Sequence, residues 1–391
     1  MTMLARFAAA GLALAATAPA AAADLSLTFL GQQTLPFNAS FAGTPVGGLS
    51  GVDFDPVSGR YIAISDDRSQ NAPARFYDLD FQVSSSGFTG VSVTGVTTLK
   101  QPDGSLYPAL AVDGESIRFA GAGKFVYSSE GDANRFLPPF VREGNLADGS
   151  FSNDYVLPGY YTPTADAGIR NNLALESLTF STDGTQLVTA TESALKQDGP
   201  IASLTNGANT RILVLGADSR APLAEYVYVT DAIPTAPVPG GSADNGLVEL
   251  LAYAPGKYIA MERAFAAGVG NSVRLYTIDL TGATNVLAEG DLDAVAYTPV
   301  TKTLLLDLAT LGIRPDNIEA LTFGETLDNG KRSLFLVSDN NFSSGQIQQF
   351  LAFQVDVAAV PEPATWATMI GGMGVVGGSL RRRRTAAVAA A

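Results

Sequence analysis

Residues Leu173–Ser193 read LALESLTFSTDGTQLVTATES. Apolar and polar positions alternate on both sides of Thr182-Asp183-Gly184, the period-2 pattern of two half-buried strands joined by a tight turn. Antiparallel return brings the start of the first strand beside the end of the second. Glu176 and Glu192 therefore stand at the same end of one hairpin. The sentence recurs as GGLSGVDFDPVSGRYIAISDD (Gly47–Asp67), DGESIRFAGAGKFVYSSEGD (Asp113–Asp132), GLVELLAYAPGKYIAMER (Gly246–Arg263) and DNIEALTFGETLDNGKRSLFLVSDNN (Asp316–Asn341).

The early acids Glu115, Glu176, Glu249 and Glu319 are 61, 73 and 70 residues apart. Further strand-like runs follow most copies, so each unit holds about four strands, the arrangement of a propeller blade. The pattern predicts an all-β chain, a β-propeller of five or six blades. A sixth blade is sought in Ala283–Leu308, and Asp132–Arg170 is expected to be a long loop. Asp24–Leu35 is a strand with no neighbour in sequence. It is expected to complete the last blade and close the ring without a free edge.

The 391 residues contain no cysteine and no histidine. That excludes disulfides, thiol nucleophiles, Ser-His-Asp triads and the usual zinc sites. Residues 1–23, with Arg6, an Ala/Leu run and a small-residue end, predict a signal peptide cleaved before Asp24. The globular body is expected over residues 24–358. The segment 359–384 holds Val360-Pro361-Glu362-Pro363, a short apolar stretch to Leu380 and Arg381–Arg384; residues 385–391 are a tail. The apolar stretch falls short of the ~20 residues of a stable span. An ordinary single-span anchor is the alternative reading. Without residues 1–23, which carry one Arg, and 361–391, which carry four Arg and one Glu, the body holds 19 basic and 37 acidic residues. Such a body repels nucleic acid and attracts cations.

Within a blade, early and late acids open on one face. Glu115 with Glu130, Glu176 with Glu192, Glu249 with Glu262 and Glu319 with Asp339 are expected to ring one mouth of the central channel. In blade one Ser50-Gly51 takes the early position, leaving Asp66 and Asp67. Converging carboxylates repel unless a cation intervenes, and oxygen-only donors suit Ca²⁺ better than Mg²⁺ or Mn²⁺. Arg68, Arg118, Arg170, Lys196 and Arg263 flank these motifs as candidate anion contacts. The bland alternative is that the acids cap turns and bond blade to blade.

GGLSGVDFDP with ISDDR, DGESIRF with SSEGD, GIRNNLALESLTFSTDG with TESALKQDGP, ELLAY with MER, and DNIEALTFG with LVSDNNF together resemble the phytase-like family (esterase-like activity of phytase), from about Gly47 to Phe353. The C-terminal segment resembles a PEP-CTERM sorting signal. The resemblances imply a secreted or surface-sorted propeller with phosphoesterase or esterase activity, and processing by an exosortase-type enzyme. By analogy with metal-dependent propeller phosphatases, Asp66, Asp67, Glu115, Glu130, Glu249, Glu319 and Asp339 would hold metal. A carboxylate among Glu176, Glu192 and Glu262 would orient water, and Arg170, Arg263 and Lys196 would meet an anionic substrate. Asn171-Asn172 after Arg170 departs from the Pro-containing turn the family tends to show, and TES lacks a Gly after its Glu. No organic cofactor is expected. A non-catalytic surface or matrix module binding a glycan, protein or metal, and a Ca²⁺-dependent lactonase or carboxylesterase, are the other readings; the partner expected is an anionic small molecule or exopolysaccharide.

Overall fold

A computed structural model describes residues 25–357. The readings of residues 1–23, 359–384 and 385–391 lie outside the described residues. Among those described, no helix is long and apolar enough to cross a membrane.

The compact unit Leu27–Asp356 is built of five four-stranded sheets. The chain begins with β1 (Leu25–Leu35), then a short ribbon of β2 (Ser40–Phe41) and β3 (Thr44–Pro45). Blade one is β4 (Leu49–Asp55), β5 (Arg60–Ser65), β6 (Arg75–Ser84) and β7 (Gly87–Thr98). Blade two is β8 (Gly114–Gly121), β9 (Lys124–Ser129), β10 (Phe140–Asn145) and β11 (Phe151–Asp154). Blade three is β12 (Leu175–Phe180), β13 (Gln186–Thr191), β14 (Asn209–Gly216) and β15 (Pro222–Val229). Blade four is β16 (Ala243–Ala254), β17 (Lys257–Ala266), β18 (Gly270–Asp279) and β19 (Thr301–Asp307). Blade five is β20 (Asn317–Thr326), β21 (Arg332–Asp339) and β22 (Gln348–Val357), and β1 supplies its outer strand.

The five inner strands β4, β8, β12, β16 and β20 touch in that cyclic order, and β20 returns to β4. The fold is a five-bladed propeller closed by its N-terminal strand. Two expectations need correction. Ala283–Leu308 is no sixth blade: its end supplies β19, the fourth strand of blade four. Asp132–Arg170 is not a plain loop, because it holds β10 and β11, the outer half of blade two. Those strands are short and lie beyond a turn that interrupts the alternation.

Apolar residues fill the seams between sheets. Tyr61, Phe81, Phe335 and Phe350 pack together where blades five and one meet, with Phe81 and Phe335 rings 4.6 Å apart. Ile64, Phe76, Ile117 and Phe125 join blades one and two, and Leu178, Leu187 and Leu213 pack with Val126 and Val141 between blades two and three. Such seams supply most of the fold's stability, since buried apolar area is worth roughly 25 cal/mol per Å². Around blade three a polar cluster is equally sealed. The guanidinium of Arg211, wholly buried, sits between the carboxylates of Asp198 and Glu225.

The closing strand carries a test. Deleting residues 24–35 strips β22 of its outer partner and leaves that edge of blade five open. The Phe29 ring, 5.4 Å from that of Phe353, goes with it. The truncated chain is expected to aggregate on refolding, where the full body stays monomeric by light scattering. A soluble, cooperatively melting truncation would contradict this role.

Candidate functional site

Each inner strand is interrupted by a bulge near its start. The pairing register shifts between Leu49 and Gly51, Gly114 and Ile117, Leu175 and Ser177, Leu247 and Glu249, and Ile318 and Ala320. Bulges re-aim side chains at sheet ends. The equivalent positions are Ser50, Glu115, Glu176, Val248 and Glu319. The residues before the bulges pair with Ser65, Ser129, Thr191, Glu262 and Ser338, and one residue beyond these stand Asp66, Glu130, Glu192, Arg263 and Asp339.

Blade four therefore departs from the expected ring. Glu249 aligns with Gly51, Ser116, Ser177 and Ala320, and Glu262 aligns with Ser65, Ser129, Thr191 and Ser338. A slip of one residue along a strand reverses the face a side chain occupies. Glu249 drops into the channel, where it pairs with Arg118 at 2.8 Å and accepts from Leu178 N at 3.2 Å and Ser116 Oγ at 3.3 Å. Burial raises it to about 7, against the pull of Arg118. Glu262 turns into its own blade and meets Lys302 Nζ at 2.7 Å, Asn245 Nδ2 at 2.8 Å, Asp231 N at 2.9 Å and the Tyr228 hydroxyl. Neither rings the mouth.

The other acids do converge. A cavity of about 430 Å³ opens on the axis, lined by Asp66, Asp113, Glu115, Glu176, Glu319 and Asp339. Oxygens of Asp113, Glu115 and Glu130 lie within 4.8 Å of one another, and so do those of Glu130, Glu176 and Glu192. Glu130 belongs to both trios. Neighbouring glycines make this density of carboxylates sterically possible. At Gly48, with φ +62°, a Cβ would fall 1.8 Å from Asp66 Oδ1; at Gly246 it would fall 2.3 Å from Glu192 Cγ.

Desolvation dominates the electrostatics. Burial, then Glu115, Glu130 and Glu192, push Glu176 well above the carboxylate range. Burial, then Asp113 and Glu130, do the same to Glu115. Burial, then Glu319, Asp113 and Asp67, raise Asp66; burial, then Asp66 and Glu319, raise Asp339. Asp113 rises to about 8 through burial and Glu130, although Arg68 opposes it. Burial takes Glu192 to about 8 despite Arg263. Glu130 and Glu319 are raised by burial too. A site so built holds protons or cations at neutral pH, not a full set of bare charges.

The basic residues divide. Arg263 reaches Glu319 at 3.2 Å and Glu192 at 3.4 Å from one Nη2, and borders the mouth. Arg68 holds Asp132 at 2.8 Å and Asp113 at 3.3 Å. Arg170 donates to the carbonyls of Ala194 and Gly199, at 2.9 and 2.8 Å, and Lys196 to that of Thr164 at 2.6 Å. These two tie loops rather than facing the acids. Asp67 is likewise spent: its carboxylate takes Arg75 at 2.7 Å and the backbone N–H groups of Gln70, Asn71 and Ala72. Burial works against its ionisation, but those bonds keep it below the usual range. The trio member that sequence reasoning passed over is Asp113. Its signal was the alternate spacing Asp113-Gly114-Glu115, which puts both carboxyls on one side of the strand start.

Hard-cation fit follows from the donors. Both trios offer only oxygen, and Asp66 Oδ1 is buried with no hydrogen-bond partner. Six or more oxygens at a rigid rim suit Ca²⁺ better than soft or imidazole-loving metals.

Comparison with known proteins adds the family. Among solved structures, an endo-arabinase from Bacteroides thetaiotaomicron VPI-5482 aligns over 83% of this chain and 96% of its own, with 11% identity and TM-score 0.44. The Dos1 propeller aligns over 80% of this chain and 69% of its own, with 8% identity and TM-score 0.33. No curated protein matches the sequence. The family model described as phytase-like, esterase-like activity of phytase, matches residues 44–342. That match takes in every acid of the mouth and most of the chain, and the chain belongs to the phytase-like family.

Proposed function

We propose that this protein is a phosphomonoesterase that works at the acidic mouth of its propeller with bound Ca²⁺. The observation that carries the reading is the pair of carboxylate trios sharing Glu130, in a chain of the phytase-like family. Asp113, Glu115 and Glu130 would hold one cation, and Glu130, Glu176 and Glu192 a second. Glu319, Asp339 and Asp66 complete the negative rim. When bound, a hard cation supplies positive charge to a phosphoryl oxygen.

The chain's own groups do the rest. Glu176 lies within hydrogen-bond reach of Glu130, and the two share a proton when no cation is present. With neighbouring charge neutralised, Glu176 or Glu192 ionises and orients water as general base. Arg263 stands against Glu192 and Glu319 on the rim, placed to meet charge that develops on the phosphoryl oxygens. Glu249, Glu262, Arg170 and Lys196 support the scaffold in this reading: two are sealed in ion pairs and two hold loops.

Release of p-nitrophenol from p-nitrophenyl phosphate tests the proposal. Activity is expected to vanish in EDTA, return with Ca²⁺, and fall at least 100-fold in Glu130→Gln, the carboxylate common to both trios. Glu262→Gln should leave kcat within a few-fold. Hydrolysis of p-nitrophenyl acetate but not of the phosphate would overturn the substrate class. Phosphate release indifferent to EDTA would overturn the cation.

A further inference from the structure

The five inner strands start at the acidic mouth and end at the opposite face of the propeller. Four residues beyond the bulge positions Ser50, Glu115, Glu176, Val248 and Glu319 stand Phe54, Phe119, Phe180, Ala252 and Phe323. All five line a cavity of about 310 Å³, to which the preceding layer adds Asp53, Arg118, Thr179 and Thr322. This cavity shares no lining residue with the one at the mouth, and the ion pair of Arg118 and Glu249 lies between them. We propose that it is a separate binding site, for a small neutral aromatic molecule that carries a hydrogen-bond acceptor. The inference does not rest on the phosphoesterase reading.

The collar accounts for the aromatic part. Phe54, Phe119 and Phe180 are half-buried, each packed on its own seam, and Phe323 is buried. Blade four has Ala252 where the other four blades have a ring, and the missing side chain leaves room inside the collar. The volume is near the lower end for ligand pockets and holds one substituted ring. Rings entering among phenylalanines gain edge-to-face contacts beyond the area they bury.

The polar floor accounts for the rest. Asp53 accepts from Phe119 N at 2.8 Å and from Thr322 Oγ1 at 3.2 Å, and Thr179 Oγ1 accepts from Ala252 N at 3.0 Å. Arg118 gives Nη1 to Val52 O at 2.5 Å, and Nη2 to Glu249 at 2.8 Å. Two donors are left over. Nε of Arg118 is buried without a partner. The guanidinium of Arg332, 4.2 Å from the centre of the Phe323 ring, makes no hydrogen bond or ion pair among the described residues. A guest must therefore accept. Both cations already have a counter-charge, Glu249 for Arg118 and Asp53 for Arg332. Burial works against the charged forms of Asp53 and Arg332 themselves. A charged guest meets the same penalty with no free partner to offset it, whereas a neutral one does not.

Saturation-transfer NMR on the full chain, titrated with acetophenone, benzoate and benzyltrimethylammonium, tests this. Acetophenone is expected to bind saturably, at least tenfold tighter than either ion. Ala252→Phe, which completes the collar, should abolish binding, and Arg332→Gln should weaken it several-fold. Melting checks the fold of both variants, and Arg332→Gln alone decides if the added ring unfolds blade four. EDTA should leave the affinity unchanged, because the mouth takes no part. No saturable binding, tighter binding of either ion, or an affinity that the folded variants leave intact would overturn the site. Binding that EDTA abolishes would place the guest at the mouth and overturn it equally.

Discussion

Melted in EDTA, the protein should lose stability steadily between pH 5 and pH 8, by on the order of several kcal/mol, a fall in Tm of roughly 10 °C. The sign comes from the direction of the shifts. Asp113 and Glu192 stand near 8 in the folded protein, and Asp66, Glu115, Glu176 and Asp339 are raised as well. Unfolded, the same groups release their protons near pH 4. Throughout the window the folded state holds more protons, so raising the pH favours unfolding. The stabilisation is complete below the unfolded values and gone once the pH passes the folded ones. Calcium should reverse the loss, because a cation bound only to the folded state stabilises it by mass action. The gain should be large at pH 8 and small at pH 5, where protons occupy the oxygens. A Tm independent of pH in EDTA, or a Ca²⁺ effect equal at both pH values, would refute the coupling.

Arg211→Met carries the second large effect. Its guanidinium meets Asp198 through Nε at 2.5 Å and Nη2 at 2.8 Å, and Glu225 through Nη1 at 2.5 Å, with all three side chains fully buried. Glu225 also takes the hydroxyls of Tyr161 at 2.6 Å and Tyr160 at 2.9 Å. Burial raises Glu225, and Arg211 is the strongest influence holding it down. Removing the arginine strands two carboxylates in a dry site, a loss of about 3–5 kcal/mol. The same cluster holds the loop leading to β19, since Arg211 donates to Glu289 O at 2.9 Å and Asp198 accepts from Leu292 N at 3.1 Å. Protease cleavage within residues 283–300 should accelerate with the unfolding rate. Adding Asp198→Asn and Glu225→Gln should restore much of the stability, because the orphaned charges are then gone. If the triple variant were no better than Arg211→Met alone, lost packing and not stranded charge would be the cause.

The fold was legible because repetition multiplies a weak signal. One alternating hairpin is ambiguous, but five copies with glycine turns at Gly59, Gly184 and Gly330 mark blade after blade. Among the blade strands, the short β10 and β11 and the distant β19 escaped, where loops of uneven length break the alternation. The acids of blades two, three and five were legible for the same reason. Blade four misled because LVELLAY contains two candidate alignments. Matching the acid to the acid puts Glu249 in the ring, whereas matching Leu247 and Leu250 to Leu175 and Leu178 puts Val248 there. Core packing sets register, so the apolar match is the physical one. By the same rule Arg263, not Glu262, occupies the late position.

The closure of the ring has a kinetic consequence. β1 leaves the ribosome first, yet its partner β22 is about 300 residues further along the chain, a contact of very high sequence separation that folds slowly. Blades one to four can form hairpin by hairpin from local pairings, while blade five must wait for both ends of the body. Until then β1 lies unpaired, and β22, paired with β21 on one side, presents an open edge on the other. A chain whose last strand is not yet made therefore stays unlatched, however well its first four blades have formed.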